Sequence, residues 1–256
     1  MYDNPYRFIG VGGCISAGKS DLCRLLAEEM SVDGSQTVIL DEPADQTDSR
    51  GKVANPFLPD YYEESDRLKD PAAPRPKASV SFLMQIHLFV ERKIIHDYAA
   101  SHVTARKGHV IVDQILHNDA SFARVQAYLK YMSQREFGVY ARLYDAMINA
   151  VKLPTILVHL DVDPEVCVAR IRRRALERTG RECEKVIETG YLARLRKEMS
   201  DTADVLEQRG VGVIRLDWNE ELPTDELRRP RVRALAKQIR EKRVVSDFVD
   251  LHLGII

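Results

Sequence analysis

The sequence predicts an α/β fold, a three-layer sandwich with a five-stranded parallel sheet flanked by helices. Short β-branched runs bounded by Gly, Pro or acidic residues alternate with longer stretches of helical period. Such alternation puts crossover helices on both faces of a parallel sheet. The first run also passes straight into a glycine-rich loop that a helix follows.

The strands are expected at Arg7–Val11, Thr37–Leu40, His109–Val112, Thr155–Leu160 and Gly212–Leu216. Helical patterns lie at Lys19–Met30, Ser79–Ala100, Ala120–Lys130, Gln134–Ala150, Pro164–Arg174 and Glu184–Arg209. Two stretches read as loops. Asp45–Asn55 is polar, and Asp70–Lys77 contains Pro71, Pro74 and Pro76; the second reads as an exposed insertion, not a boundary. The tail Asp225–Arg243 is dense in Arg and Lys and helical in part; it is either a solvated helix face or a surface for an anionic partner. The whole of 1–256 reads as a single domain.

Composition narrows the function classes. Hydrophobic residues are 45% and charged residues 30%, which suits a globular chain. Lys plus Arg number 38 and Asp plus Glu 39, so no global charge draws the chain to nucleic acid or an anionic membrane. No apolar run reaches the roughly 18 residues of a membrane span. The four cysteines form no Cys-x-x-Cys pair, which suits a reducing, cytoplasmic setting.

Gly13-Cys14-Ile15-Ser16-Ala17-Gly18-Lys19-Ser20 matches Gly-x-x-x-x-Gly-Lys-Ser/Thr at every fixed position, between a strand and a helix. The glycines let the backbone turn around a phosphate, with amides pointing inward at the positive end of a helix. Lys19 would reach the β- and γ-phosphates, and the Ser20 hydroxyl would ligate Mg²⁺. The fold is therefore of P-loop NTPase type, with a nucleoside triphosphate and Mg²⁺ as cofactors and the acceptor left open.

Several residues point to the acceptor side. Asp41-Glu42-Pro43 ends the second strand, where ligands bind in such sheets; Glu42 reads as a general base for an attacking hydroxyl or as a loop carboxylate. Asp113 closes the third strand and reads as Mg²⁺ support or as a helix N-cap. Arg170, Arg174, Arg178 and Arg181 fall on one helical stripe, thickened by Arg172 and Arg173. They read as a lid over the γ-phosphate or as a solvated face.

These pieces, in this order, resemble the deoxynucleoside kinase family from about Phe8 to Asp217. The family's Glu-Pro corresponds to Glu42-Pro43, and its Asn-Pro and Tyr-Tyr stretch to Asn55–Leu58 and Tyr61–Arg67. Its Gln with Arg seven residues later corresponds to Gln85 and Arg92, in wording nearest to the bacterial deoxyadenosine and deoxyguanosine kinases and to deoxycytidine kinase. Its Asp/Glu-Arg-Ser-x-x-x-Asp corresponds to Asp113–Asp119, its Leu-Asp-Val-x-Pro-Glu to Leu160–Glu165, and its arginine lid to Arg170–Arg174 and Gly180–Glu184.

The resemblance implies roles. ATP would be the phosphoryl donor. Glu42 would be the base on a deoxynucleoside 5′-hydroxyl, and Gln85 would bond the nucleobase. Arg92 and Asp119 would pair at the far end of the base pocket, favouring a purine or cytosine. Tyr62 and Glu184 would hold the sugar 3′-hydroxyl. Arg170, Arg174 and Arg181 would form the lid, and Asp217 and its neighbours would lie near the donor adenine. A homodimer through Ser79–Ala100 and Gln134–Ala150 is implied. A nucleoside monophosphate kinase, a kinase acting on a modified nucleotide or within a polymer, and a non-catalytic nucleotide-binding subunit are the alternatives.

The chain also departs from the family. Ser16 and Asp21 replace common residues of the phosphate loop, Thr47 stands at the family tryptophan, and the lid carries Ala175–Thr179 as extra residues. The gravest departure is Gln114, neutral where the family has an arginine beside the catalytic carboxylate. Its loss is expected to raise the pKa of Glu42 unless another arginine takes its place.

Overall fold

The computed structural model describes residues 5–32, 34–43, 55–177 and 182–242. Five strands form the sheet: β1 (Phe8–Gly13), β2 (Thr37–Leu40), β3 (His109–Asp113), β4 (Ile156–Asp161) and β5 (Gly212–Asp217). Their order is β2-β3-β1-β4-β5, and every pairing is parallel. β1 runs on to Gly13, beyond the expected Val11, because Gly12 and Gly13 continue the ladder opposite His159 and Leu160.

Alternate residues of the strands serve opposite faces. Ile9 and Val11 join Leu22, Leu25 and Leu26 of α1 (Lys19–Met30) and Val232 and Leu235 of α8 (Asp225–Glu241). Phe8, Val110 and Val112 pack with Ala99 and Val103 of α3 (Val80–Thr104). Leu157 and Val213 meet Ala203 and Leu206 of α7 (Thr189–Gln208). The carboxyl ends of β1, β2 and β3 therefore open together on one edge, between the two helical layers.

The remaining helices are α2 (Leu58–Arg67), α4 (Asp119–Tyr128), α5 (Gln134–Ile148) and α6 (Pro164–Glu177). The Ser79 side chain caps α3 by accepting from Phe82 N, and Ser133 with Glu136 forms a capping box on α5. α2 is a helix that the apolar periodicity did not single out; it starts with Pro59 in its first turn. The expected helix at Glu184–Arg209 divides into a short 3-10 helix at Glu182–Val186 and α7, because Glu188 is extended at φ −106° and ψ 156°.

The proline-rich Asp70–Lys77 links α2 to α3 without helix or strand, as expected, and the Arg67 guanidinium donates to Pro74 O at 2.7 Å. The polar loop at Asp45–Asn55 lies outside the described residues save for Asn55, as do Thr47, Arg178 and Arg181.

The basic tail folds as α8, and its cations meet carboxylates of the same molecule. Arg228 pairs with Asp21 and Asp225, Arg229 with Glu28 and Glu29, Arg231 with Glu220, and Arg233 with Glu29. Each exposed pair contributes little to stability. Together they set four cations of the tail, which reads as a solvated face or a surface for an anionic partner, against carboxylates of this chain. Among the described residues no helix is long and apolar enough to cross a membrane.

Candidate active site

The phosphate loop joins β1 to α1. Ser16 and Gly18 both take left-handed backbone, at φ 58° and 95°. A side chain at Gly18 would also press on Trp218, whose Nε1 lies 3.0 Å from an added Cβ. This curl brings the first amides of α1 around one point at the positive end of the helix. Cys14 belongs to the packing of the loop: burial pushes its thiol up to about 12, and it donates to Leu192 O at 3.7 Å.

Lys19 is 8% exposed and donates to Cys14 O at 3.2 Å, which aims its ammonium along the loop. Ser20 Oγ donates to Asp113 Oδ2 at 2.6 Å. Asp113 Oδ1 and Ser16 Oγ are buried with no hydrogen-bond partner among the described residues. Burial pushes the Asp113 carboxyl up to about 6; Lys19 pulls it down and Glu42 adds to the rise. A hydroxyl and a carboxylate with an unused oxygen suit Mg²⁺, which takes few protein ligands and completes its shell with water and phosphate. Among the described residues no group of three or more His, Cys, Asp or Glu forms a fuller metal cage.

A cavity of about 270 Å³ opens at this loop. Its lining takes in Glu42, Tyr62, Gln85, Arg92 and Phe122, and Trp218, Glu220 and Leu222 from the segment after β5. Glu42 Oε2 stands 3.8 Å from Lys19 Nζ, so a carboxylate and the phosphate-binding cation face the same space. At Gln85 a buried polar chain links three helices. Ser81 Oγ donates to Gln126 Oε1 at 2.7 Å, Gln126 Nε2 to Gln85 Oε1 at 3.0 Å, and Gln85 Nε2 to Asp119 Oδ2 at 2.7 Å. Tyr140 OH also donates to Asp119 Oδ2, at 2.6 Å. A phosphate loop, a facing carboxylate and a cavity lined by polar groups are the parts that a phosphotransfer site needs.

The family model for deoxynucleoside kinase matches residues 9–241. The chain belongs to this family. It is 29% identical over 184 residues to a deoxyadenosine kinase of Dictyostelium discoideum, covering 69% of this chain and 68% of that one. It is 26% identical over 217 residues to a deoxyguanosine kinase of the same organism, covering 85% and 66%. Among solved structures, the deoxyadenosine kinase of M. mycoides with bound dATP superposes at a TM-score of 0.67 with 19% identity, covering 92% of this chain and all (100%) of that one. The parallel sheet and its flanking helices are thus those of the P-loop deoxynucleoside kinase fold.

Within this kinase, the residues predicted for the site come together with some changes. Gly13 to Ser20, Glu42, Tyr62, Gln85, Arg92, Arg170, Arg174 and Glu184 all line the cavity or form the loop at its floor. Asp119 does not line it. Asp119 is fully buried behind Gln85 and Arg92, so any influence on a ligand passes through them. Asp217 also stands outside the cavity: it is exposed and caps Asn219, accepting from its N and Nδ2 at 2.9 and 3.0 Å. The neighbouring Trp218, Glu220 and Leu222 form the wall instead, since the chain turns inward after β5.

The lid arginines are engaged with protein groups. Arg170 donates to Ala17 O at 3.2 Å, Trp218 O at 2.9 Å and Glu221 Oε1 at 2.6 Å, which ties the phosphate loop to the segment after β5. Arg174 donates to Glu184 Oε2 at 2.5 Å, and Glu184 is 2% exposed. Arg181 lies outside the described residues.

Gln114 does not reach Glu42. It sits at φ 65°, donates to Gly13 O at 3.2 Å and accepts from Asn118 Nδ2 at 3.0 Å, so it braces the phosphate loop. Among the described residues the arginine bonded to Glu42 is Arg92, whose Nη2 donates to Glu42 Oε1 at 2.7 Å while Nη1 pairs with Asp119. The expected loss of a cation at Glu42 is therefore made good from another helix. The sequence reading also missed Trp218, Phe122 and Gln126 as cavity walls. A lone tryptophan just past a strand end was a usable signal for the first; nothing local marked the other two.

Proposed function

We propose that the enzyme transfers the γ-phosphoryl group of ATP to the 5′-hydroxyl of a deoxynucleoside with a purine or cytosine base, in cytoplasmic nucleotide salvage. One observation carries the reading: the Glu42 carboxylate shares a cavity with Lys19, 3.8 Å away, and with a polar pocket at Gln85 and Arg92. Glu42 takes the 5′-hydroxyl proton as the new O–P bond forms and the bond to the β-phosphate oxygen breaks. Lys19 and the amides from Gly13 to Ser20 hold the β- and γ-phosphate oxygens. Ser20 and Asp113 hold Mg²⁺, which supplies charge neutralisation on those oxygens when bound.

Tyr62 from α2 and Glu184 from the 3-10 helix, which both line the cavity, hold the sugar 3′-hydroxyl. Gln85 and Arg92 meet the base edge, with Asp119 orienting both. Arg170, Arg174 and Arg181 gather over the transferring group. The donor base rests by Trp218. The chain acts as one kinase unit and pairs as a homodimer. Leu83, Val90, Ile94 and Tyr98 form an exposed apolar stripe along α3, with Val139 exposed on α5, which supports that pairing.

The test is phosphoryl transfer from labelled ATP with Mg²⁺ to the four deoxynucleosides, their monophosphates and a DNA duplex. Label on free deoxyadenosine, deoxyguanosine or deoxycytidine, ahead of thymidine, is the expected result. Label on monophosphates or DNA alone overturns the acceptor, and transfer to none overturns the reading.

A further inference from the structure

We propose that Arg92 is the positioning residue of the catalytic carboxylate, and that one guanidinium joins the base pocket to Glu42. The proposal rests on the reading of Glu42 as the general base.

Arg92 comes from the middle of α3 and is 3% exposed. Nη1 is held by Asp119, and Nη2 donates to Glu42 Oε1 at 2.7 Å. The two carboxylates come from different parts of the chain, the end of β2 and the start of α4. Only a planar fork spans both; a lysine would offer a point charge to one of them. The guanidinium is itself oriented, because Asp119 is fixed by Tyr140 OH and Gln85 Nε2 and Phe122 lies 5.4 Å from the Arg92 guanidinium carbon.

Among the described residues the charged groups facing Glu42 include Lys19 from α1, Arg92 from α3 and the Asp113 carboxylate from β3, with Asp41 next to Glu42 in the chain. Lys19 stands at 3.8 Å and is directed to Cys14 O. Gln114, the residue after Asp113, is turned to Gly13 and Asn118. Among the described residues Arg92 is the guanidinium bonded to Glu42, and it sets where Glu42 points. Gln85 lines the cavity, so the chain Gln85–Asp119–Arg92–Glu42 runs from the base end to the reacting end of one acceptor. A base that shifts Gln85 or Arg92 also shifts the carboxylate that receives the proton.

The experiment measures kcat, KM and the pH dependence of kcat for the full chain, Arg92→Lys, Gln114→Arg and the double variant, with Glu42→Gln as reference. Arg92→Lys is expected to lower kcat about 10- to 100-fold, the scale of a misplaced catalytic group. The acid side of the kcat profile should move to higher pH. In the double variant, Gln114→Arg should restore much of kcat while leaving KM for the deoxynucleoside raised, because it returns a cation to Glu42 without rebuilding the fork. A raised KM with kcat unchanged in Arg92→Lys overturns the proposal, as does a lower kcat with an unmoved pH profile. If Arg92→Lys does not fold, the isosteric Asp119→Asn decides: with the Arg92 guanidinium no longer shared, the acid side should move to lower pH and kcat should fall, and an unmoved limb with unchanged kcat overturns the proposal. Full turnover in Glu42→Gln instead removes the general-base reading itself.

Discussion

Replacing Asp119 by alanine should cost the folded enzyme about 4 kcal/mol, because it leaves a buried cation short of a partner. Asp119 is fully buried, pairs with Arg92 and accepts from Tyr140 OH at 2.6 Å and Gln85 Nε2 at 2.7 Å. Breaking a buried ion pair from one side costs about 3–5 kcal/mol. Arg92 retains Glu42 at 2.7 Å, which places this part near the low end. The stranded Tyr140 and Gln85 donors add about 1–3 kcal/mol, less whatever a water in the vacated space recovers. Urea unfolding measures the sum, with an unchanged m-value showing that the folded and unfolded states keep their surfaces. A loss within about 1 kcal/mol would refute the claim that this carboxylate holds α3, α4 and α5 together. The same variant, at a temperature where it remains folded, should gain activity toward thymidine relative to the wild type. An unaltered substrate profile would remove Asp119 from base selection.

Other consequences follow from single positions. An added methyl at Gly10 would lie 2.0 Å from Ile115 Cγ2, so Gly10→Ala should cost about 1–3 kcal/mol, with Ile115→Ala recovering part of it; additive losses in denaturant unfolding would contradict the clash. Burial holds His96 neutral, with its pKa pushed down to about 4, and drives His117 down as well. Unfolded histidine takes up a proton near 6.5 while the folded ring does not until about 4. Stability is therefore full above about pH 6.5 and declines as pH falls through that window, by about 3 kcal/mol for His96 alone; equal unfolding midpoints at pH 7 and pH 4.5 would exclude this. Trp218 is the single tryptophan and lies against Gly18 of the phosphate loop, so ATP binding should change intrinsic fluorescence and Trp218→Phe should silence it. Emission that ignores saturating ATP would place the nucleotide elsewhere.

Much of this was legible along the chain. The strands at Thr37–Leu40 and His109–Val112 and the helix at Lys19–Met30 carry their own periodicity and punctuation, and the structure keeps them. The phosphate loop was legible because its chemistry is contiguous: glycines, lysine and serine act through neighbouring backbone amides. α2 escaped because it has only ten residues and its inward face, Leu58, Tyr61, Tyr62 and Ser65, is helically spaced but built of two tyrosines and a serine beside one aliphatic residue. Asp119 keeps its expected pair with Arg92, but both it and Asp217 stand back from the cavity, because strand ends and helix starts say which residues come near a site, and not which side chain turns into it.

The sequence by itself determined the layer architecture, the phosphate loop and the order of the functional segments, since local propensity and short-range spacing carry all of these. The tertiary structure alone decided the electrostatics of the site. Glu42 and Arg92 are 50 positions apart, and their pairing depends on how α3 crosses the end of β2. The basic tail was neutralised in the same way, by acids of α1 some 200 positions away in the chain. A charge acts through space at a few ångströms, and the chain sets that distance only after the layers have packed.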